Sequence, residues 1–261
     1  MATHPIGIIL HGATGRIGGT QHLANALAPI RDEGGLPTGA GNDRIVPRLM
    51  LAGRDAARVE AAAKKHNAHF IFLSTDFIFD GKNGPYREED AAAPLSIYGQ
   101  SKLDGEQLVM NSGLAHWAIA RTIIVYGVAA GLSRSNVVLW AKGALEKGSP
   151  INVVDDQYRM PTLAEDLADG CIRIAKRKAQ GVYHLCGPDG MTILELVQRV
   201  AKYYELDDKI VTRIDSASLS QPAERPPRTG FVLDKARKDL GYTPHSFEEG
   251  LDVLTKQLKG G

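Results

Sequence analysis

The stretch from Phe70 to Leu108, FIFLSTDFIFDGKNGPYREEDAAAPLSIYGQSKLDGEQL, decides the fold. It starts as an apolar strand that ends near Thr75, continues through a long polar loop, and enters a helix that carries Tyr98 and Lys102. Residues four positions apart lie on one face of a helix, so the phenol and the ammonium can reach a single bound molecule together. A neighbouring cation favours an ionised phenol, so we expect Lys102 to lower the pKa of Tyr98 toward the working range of a proton donor. With the Thr75 hydroxyl offered to the same carbonyl, these side chains predict a site for hydride chemistry at a C=O carbon.

A Tyr-x-x-x-Lys pair alone is weak evidence, because an amphipathic helix with a surface lysine has the same spacing. The longer pattern is more specific: it runs STDFIFDG, then GPYREED, then APLSIYGQSKLDGE. This pattern resembles the extended short-chain dehydrogenase/reductases, and among them the dTDP-4-dehydrorhamnose reductases, whose motif runs from STDYVFDG to PxNxYGxSKxxGE. The resemblance implies that Tyr98 protonates the substrate carbonyl, that Lys102 holds the nicotinamide ribose and tunes Tyr98, and that Thr75 positions the substrate. It also implies substrate contacts from Asp76, Phe77, Asn136 and Arg225.

The N-terminal segment predicts a dinucleotide site. Ile6 to His11 is a short apolar strand that runs into a glycine-rich turn and then a helix at about residues 21–27. Without a Cβ the backbone can approach a pyrophosphate, and free N–H groups and the helix dipole meet the anion. The competing interpretation is a tight turn that only packs the helix on the strand. The turn residues expected to contact the cofactor are Gly12, Thr14, Gly15, Arg16, Ile17 and Gly18.

The second strand, Ile45 to Ala52, ends in Gly53-Arg54-Asp55. An NAD site usually sets an acid against the ribose 2′-hydroxyl at this point, whereas the guanidinium of Arg54 suits a 2′-phosphate. We therefore predict NADP as the cofactor, with NAD as the alternative. Asp55 serves equally well as the N-cap of a following helix.

The first 66 residues carry a second resemblance. The run GIILHGATGRIGGTQHL, the Gly-rich loop after it and LAGRDAARVEAAAKKH resemble the dinucleotide half of glucose-fructose oxidoreductase or inositol-dehydrogenase-type enzymes, whereas the reductase resemblance covers about residues 67–261. A strand, a ribose-contacting turn and a helix of the extended enzymes are missing between the two parts. This predicts a recombined or truncated Rossmann protein with a junction near residues 64–70. Its α/β fold, a doubly wound parallel sheet, would lack one strand–helix unit and take the flavodoxin-like order 2-1-3-4-5.

The C-terminal half adds elements around the substrate. Ala115 to Tyr126 predicts a buried parallel strand, because a near-continuous apolar run is typical of strands covered on both faces. Ser135-Asn136 then begins a helix, and by chemistry alone these residues are helix caps rather than sugar-nucleotide contacts. Asp155-Asp156-Gln157 with Pro161-Thr162 matches the reductases' DQ-x-x-x-PT pattern, which we interpret as a turn at the substrate edge rather than a metal site. Arg225 lies in a Pro-rich loop, where it either binds a diphosphate bidentately or belongs to a solvated linker.

The length of the chain and its pattern of apolar residues predict two structural regions. At 261 residues the chain can hold one large domain or one domain with a lobe. We assign residues 1–150 to a dinucleotide-binding Rossmann domain, and residues 151–261 to the completion of the sheet and a small substrate lobe. Helices are predicted at 163–178, 192–204, 234–240 and 247–258, and short strands at 151–154, 181–185 and 209–214.

The net charge and the cysteine content limit the binding partners and the cellular location that we expect. The net charge is +1 and no block of like charge occurs, which argues against nucleic acid or an anionic membrane as a partner. No apolar stretch reaches the roughly 18 residues of a membrane span. Cys171 and Cys186 show no disulfide or metal spacing and the eight histidines are scattered, so we expect buried thiols, no metal site and a cytoplasmic location. The reductase resemblance also allows a homodimer.

Together these features predict an NADP(H)-dependent reductase of a nucleotide-linked 4-keto-6-deoxy sugar, with Tyr98 as the proton donor. The alternative is a recombined or engineered Rossmann scaffold that folds but binds cofactor weakly or not at all and has no turnover, because part of the cofactor cradle is missing. A regulatory subunit without catalysis is a third hypothesis, which the intact Thr75, Tyr98 and Lys102 disfavour.

Overall fold

The structure is a computed structural model that describes residues 3–11, 32–33, 36–37, 44–52, 61, 64–65, 68–128, 136–218 and 223–260. Its strands are β1 Thr3–His11, β2 Leu36–Pro37, β3 Arg44–Ala52, β4 His69–Thr75, β5 Trp117–Thr122, β6 Val125–Tyr126, β7 Ile151–Val154, β8 Tyr158–Arg159, β9 Thr162–Leu163, β10 Gly181–His184, β11 Met191–Thr192 and β12 Val211–Ile214. Its helices are α1 Ile97–Met110, α2 Val137–Glu146, α3 Ala164–Arg177, α4 Ile193–Tyr203, α5 Asp234–Leu240 and α6 Phe247–Gly260. Short 3-10 turns cover Asp76–Ile78 and Ser216–Ser218.

A six-stranded sheet has the order β1-β3-β4-β5-β10, and β2 pairs with β3 beside this path. β1 and β3 pair in parallel along their full length, and β3 pairs in parallel with β4. The inner strands β4 and β5 carry runs of buried apolar residues: Phe70, Ile71, Phe72, Ala118, Ile119 and Ala120. Such runs are typical of parallel strands that are covered on both faces. The predicted α/β class with a Rossmann-like parallel sheet is therefore confirmed.

The predicted strand order 2-1-3-4-5 is wrong. In the structure β3 lies between β1 and β4, so these strands follow one another across the sheet in chain order. The reason lies in the connection from β3 to β4, which has only residues 53–68 to use. In the predicted order this connection would have to pass over β1, whereas in the observed order it joins immediate neighbours, as most sequential strands do.

The single strand predicted at 115–126 is divided into β5 and β6. Between them Ile124 has a φ of 30°, a positive value that a β-branched residue rarely adopts. One residue satisfies the carbonyls of this turn: Thr162 donates its amide to the Ile124 oxygen at 3.0 Å and its hydroxyl to the Ile123 oxygen at 2.6 Å. The turn directs the chain into β6, which pairs in parallel with β9. Thr162 of the DQ-x-x-x-PT pattern therefore stabilises a break between strands.

The chain groups into two compact units. The first comprises Met1–Ser74, Leu103–Ala120 and Cys171–Tyr183, and the second comprises Thr75–Lys102, Arg121–Gly170 and His184–Gly261. This division follows contacts rather than chain order, and it runs through α1 and α3. The predicted domain boundary near residue 150 therefore stays a prediction.

A hydrophobic core in the second unit joins α2, α4, α6 and β7. The buried side chains of α4 and α6 recur mostly at i, i+3 or i+4 spacing: Leu196, Val197, Val200, Ala201, Phe247, Leu251 and Leu254. This spacing is the apolar stripe of an amphipathic helix. Burial of each Leu or Val side chain contributes roughly 1.5–3 kcal/mol relative to exposure. The four C-terminal helices predicted from the sequence are confirmed as α3 to α6, with small changes at their ends.

Neither a membrane-crossing helix nor a metal-binding cluster occurs among the residues that the structure describes. The acidic pair considered above has other partners. Asp155 accepts a hydrogen bond from the Thr192 hydroxyl at 2.9 Å and pairs with Arg213 at 2.9 Å. Asp156 accepts from the amide and the hydroxyl of Ser216. Both carboxylates therefore hold turns and strand ends of the second unit.

Candidate active site

The carboxyl end of β4 places Thr75 at the start of the Asp76–Ile78 turn. Thr75 is buried and extended, with φ −139° and ψ 159°, and its Oγ1 accepts a hydrogen bond from the Phe77 amide at 3.3 Å. A threonine suits this N-cap position because its hydroxyl satisfies an amide that has no partner within the turn. The hydroxyl is thereby held at the strand end where parallel α/β sheets usually bind ligands.

Tyr98 and Lys102 lie on α1 as predicted, and Gly99 sets how closely this helix approaches the turn. A Cβ at position 99 would lie 2.2 Å from the Phe77 carbonyl oxygen, so a larger residue would force the helix away. The Gly99 amide donates to the Ser96 hydroxyl at 3.1 Å, which caps the first helical turn. The Tyr98 ring lies edge-on to the Phe77 ring, with centroids 6.0 Å apart. The Tyr-Gly dipeptide of the motif therefore lets the phenol reach the end of β4.

The structure brings the Tyr98 phenol to the Thr75 hydroxyl, but the pKa shift predicted from the sequence is wrong. Burial raises the pKa of Tyr98, a hydrogen bond with Thr75 lowers it, and the Asp76 charge raises it. Although 52% of the residue is exposed, the partial burial of Tyr98 still disfavours a phenolate. Burial rather than Lys102 therefore dominates the acidity of Tyr98. Lys102 is half-buried one turn further along α1.

Asp76 lies beside Thr75 in a buried polar cluster. Its Oδ1 accepts a hydrogen bond from the Thr75 hydroxyl at 3.1 Å, and its Oδ2 accepts one from the Thr229 hydroxyl. The Nε of Arg159 is 3.9 Å from the same Oδ2. Burial raises the pKa of Asp76, and the Arg159 charge and the two hydroxyls oppose that shift. Both carboxylate oxygens thus have partners within the protein, and the substrate contact expected of Asp76 stays a prediction.

Arg159 is 1% exposed and was not among the residues that sequence analysis selects. Its Nη2 donates to the Pro226 carbonyl at 2.7 Å, and its Nη1 donates to the carbonyls of Tyr158 at 2.7 Å and Pro227 at 3.3 Å. These bonds fasten the Pro-rich loop to β8. The available signal was weak, because the DQ-x-x-x-PT pattern leaves this position open and the carboxylate partner lies far away in the chain.

Arg225 is exposed on the same Pro-rich loop, as a diphosphate ligand requires. Burial lowers the pKa of Arg159, the Asp76 charge raises it, and the Arg225 charge lowers it, so Arg225 acts on the buried guanidinium. Phe77 is half-buried, and the Arg159 guanidinium lies 5.7 Å from its ring centroid. Arg225 and Phe77, which lie far apart in the sequence, therefore both lie near Arg159 of the buried Asp76–Arg159 pair.

Asn136 caps α2. Its Oδ1 accepts from the amides of Val138 at 3.1 Å and Leu139 at 3.0 Å, and its Nδ2 donates to the Gly127 carbonyl at 2.7 Å. The cap interpretation is therefore confirmed, and the side-chain amide is engaged at both ends. A direct contact between Asn136 and a sugar nucleotide stays a prediction.

The residues expected to cradle the dinucleotide lie outside the described part of the chain, as does Ser135: Gly12, Thr14, Gly15, Arg16, Ile17, Gly18 and Arg54. Among the described residues, Tyr98 and Lys102 fit a nicotinamide ribose. Both are hydrogen-bond donors one helical turn apart, and the exposed half of Tyr98 leaves room for a ligand.

The parallel sheet and its flanking helices define a Rossmann-like α/β protein. The fold matches a solved dTDP-4-dehydrorhamnose reductase from Bacillus anthracis, in complex with NADP, with a TM-score of 0.74 and 22% sequence identity. That match covers 96% of this chain and 99% of the reductase. At this identity the likeness establishes the fold.

The sequence profile of the RmlD substrate binding domain matches residues 49–259, and the chain belongs to this family. A dTDP-4-dehydrorhamnose reductase from Sinorhizobium fredii is 33% identical over 226 residues, which are 80% of this chain and 73% of that protein. Methionine adenosyltransferase 2 subunit beta from Pongo abelii is 36% identical over 173 residues, which are 64% of this chain and 50% of that protein. The chain thus spans about half the length of such subunit relatives.

The family match also bears on the predicted junction. It begins at residue 49 and continues through residues 64–70, where the sequence predicts a change of ancestry. The reductase family therefore extends further toward the N-terminus than the resemblance read from motifs alone. The likeness of the first segment to glucose-fructose oxidoreductase stays a prediction.

Proposed function

We propose that the chain is an NADP(H)-dependent reductase of a nucleotide-linked 4-keto-6-deoxy sugar. The observation that carries this proposal is the position of Tyr98, whose ring lies edge-on to Phe77 in the turn that follows Thr75 at the end of β4, with Lys102 one turn further along α1. The Sinorhizobium fredii relative, a dTDP-4-dehydrorhamnose reductase, supports the reaction. The NADP complex of the Bacillus anthracis reductase, which shares this fold, supports the cofactor.

Tyr98 is the proton donor in this proposal. A bound nicotinamide supplies the hydride, and Tyr98 gives its hydroxyl proton to the carbonyl oxygen, so that the ketone becomes an alcohol. The raised pKa keeps Tyr98 protonated at neutral pH, which is the form that a donor needs. It also makes the remaining phenolate costly. A hydrogen bond donated by Thr75, or the approach of the Lys102 ammonium, reduces that cost.

The exposed cations of the Pro-rich loop support an anionic substrate. Arg225 is exposed there, and a guanidinium can hold a diphosphate through two parallel hydrogen bonds. Arg228 is also exposed, and its guanidinium lies 4.4 Å from the Tyr158 ring centroid, a contact that limits its orientations. A sugar carrying a nucleoside diphosphate would suit these groups better than a neutral sugar.

The test is NADPH consumption with a dTDP-linked 4-keto-6-deoxy sugar, using Tyr98→Phe and a matched Tyr203→Phe control. Loss of a general acid typically lowers the rate by about 10²–10⁴-fold, so we expect Y98F to lose turnover while its NADPH affinity stays nearly intact. Tyr203 lies on α4 and donates to Asp252, so Y203F should keep the parental rate. Reduction by Y98F at the parental rate would exclude Tyr98 as the proton donor.

The second candidate is a folded Rossmann protein without turnover, acting as a subunit of another enzyme or as a scaffold. It is favoured by the 36% identity to a protein named methionine adenosyltransferase 2 subunit beta, and by the cofactor-contacting unit that the sequence lacks. Titration with NADPH separates the candidates through nicotinamide fluorescence and the melting temperature. Binding with turnover supports the reductase. Co-elution with a methionine adenosyltransferase catalytic subunit supports a subunit role, and silence at millimolar NADPH supports the scaffold.

A further inference from the structure

The hydrogen bonds of Thr75 are fully assigned before any ligand binds. A hydroxyl has one hydrogen to donate and two lone pairs. The hydrogen goes to Asp76 Oδ1 at 3.1 Å, and one lone pair accepts from the Phe77 amide at 3.3 Å. One lone pair remains, so in this arrangement the Thr75 oxygen can only accept a further hydrogen bond, whether from the Tyr98 phenol or from a ligand.

This direction matters for proton transfer. Once Tyr98 has given up its proton, the phenolate needs a donor, and Thr75 can serve only by turning its hydrogen away from Asp76. Asp76 and the Tyr98 phenolate therefore compete for one hydrogen. This competition exists only while Asp76 presents an acceptor oxygen to Thr75. The Asp76 carboxylate therefore affects how easily Tyr98 loses its proton.

The second carboxylate oxygen of Asp76 connects the Thr75 hydroxyl to the Pro-rich loop. Oδ2 accepts from Thr229 and faces Arg159, which in turn holds the Pro226 and Pro227 carbonyls. A buried carboxylate is costly unless it is paired and hydrogen-bonded. Asp76 is 2% exposed, so these partners and the position of the loop depend on one another.

We propose that Asp76 is a positioning residue that holds the hydrogen of the Thr75 hydroxyl away from Tyr98 and ties this hydroxyl to the Pro226–Thr229 segment. This role deepens the proposed function and rests on it for its catalytic meaning. The charged and titratable groups that face Asp76 are Arg159 from β8, Tyr98 from α1 and Cys186 from the segment after β10, and Arg225 faces Arg159.

The test follows the titration of Tyr98 by NMR in protein with ¹³C-labelled tyrosine rings, with Tyr98→Phe assigning the signal. Asp76→Asn removes the charge, and its neutral amide oxygen is a weaker acceptor than a carboxylate, so the Thr75 hydrogen can turn to the phenolate more readily. Both changes should lower the pKa of Tyr98, by about one unit, a tenfold change in acidity. The matched control is Asp80→Asn in the same loop, since the Asp80 carboxylate binds Lys82 and Tyr86 rather than Thr75. An unchanged Tyr98 titration in folded D76N would overturn the proposal.

A double-mutant cycle with Thr75→Val distinguishes positioning from the simple loss of a charge. If Asp76 holds the Thr75 hydrogen, T75V should raise the pKa of Tyr98 more in the D76N background than in the parent. Equal effects of T75V in the two backgrounds would mean that Asp76 does not hold the hydrogen of the Thr75 hydroxyl.

The loop connection has its own test, which also serves if D76N does not fold. Thr229→Val removes the donor to Asp76, whereas Thr229→Ser keeps it. We expect faster hydrogen exchange at the Thr229 amide and at the Tyr158 amide, which donates to the Pro227 carbonyl, in T229V, and parental exchange in T229S. Parental exchange in both variants would refute the connection. Because no readout in these tests requires turnover, failure of the reductase activity and failure of the Asp76 role are distinguishable.

Discussion

Two tyrosines of the second unit, Tyr98 and Tyr126, show how the same side chain serves a site in one place and a core in another. Burial raises the pKa of both. Tyr98 keeps 52% of its surface exposed and lies edge-on to Phe77 at 6.0 Å, whereas Tyr126 is 2% exposed and packs edge-on against Phe247 at 5.5 Å. Nearby acids, with Asp166 foremost, raise the pKa of Tyr126 further.

The difference lies in what each hydroxyl can exchange. At Tyr126 the hydroxyl lies where a Cβ at Gly250 would come within 1.9 Å, so the space around it is already filled. At Tyr98 half of the residue is exposed, and the Thr75 hydroxyl lies at the start of the turn against which the ring packs. A perturbed pKa alone therefore does not mark a functional tyrosine; access and a partner that can reorient do.

The largest effect on stability should come from the ion pair beside Tyr98. Arg159→Ala leaves Asp76 buried without its guanidinium and releases the Pro226 carbonyl, so we expect a loss of about 3–5 kcal/mol in the free energy of unfolding. Urea denaturation measures this. The matched control is Arg199→Ala on α4, whose pair with Glu248 is partly exposed and should contribute at most about 1 kcal/mol. Equal losses in the two variants would contradict the buried pairing.

A middle-sized effect should come from filling the space beside Tyr126. Gly250→Ala places a methyl group against the Tyr126 hydroxyl and should cost about 1–3 kcal/mol through overpacking. Adding Tyr126→Phe removes the closest atom and should recover part of the loss. Gly143→Ala on α2 is the control, because a Cβ there meets nothing within 4 Å, and it should stabilise by about 0.4–1 kcal/mol. No recovery in the double variant would show that the hydroxyl is not the obstacle.

The smallest effect should be the pH dependence that Asp76 contributes. Burial raises its folded-state pKa, so the folded protein holds this proton more tightly than the unfolded chain. The resulting stabilisation is full below the unfolded pKa of about 3.9 and is lost as the pH rises through the folded pKa. Relative to the parent, Asp76→Asn should therefore gain stability as the pH rises through this window, as measured by urea unfolding at a series of pH values.

Asp80→Asn provides a control of opposite sign. The backbone hydrogen bond from Lys82 holds the pKa of Asp80 below its usual value, so the contribution of Asp80 to stability is present above the unfolded pKa and is lost as the pH falls. Relative to the parent, D80N should lose stability as the pH rises through the same region. Parallel trends in D76N and D80N would contradict the buried environment of Asp76.

Much of this architecture is predictable because local patterns determine it. The apolar run of β4 and the spacing of Tyr98 and Lys102 predict a strand and a helix that the structure contains. The helix predicted at 192–204 is present as α4, and the Thr192 hydroxyl caps it by accepting a hydrogen bond from the Glu195 amide. In each case neighbouring residues carry all the information that the element needs.

What escaped prediction depends on partners that are distant in sequence. The position of β3 between β1 and β4 depends on which strands pair, and the hydrophobic pattern of a strand does not specify its pairing partners. Arg159 is identifiable only once Asp76 is seen beside it, and the raised pKa of Tyr98 follows from its partial burial in the fold rather than from residue type. Strand order, the partners of buried charges and the pKa values of partly buried groups therefore could not be predicted from the sequence alone, because they depend on residues that are distant in the chain.

The contact of Gly99 with the Phe77 carbonyl has a consequence for altering this protein. Because helix and turn touch directly at Gly99, we expect a substitution that reshapes the 76–78 turn to displace the phenol as well. Attempts to change substrate preference through that turn will alter the rate of the chemical step as well.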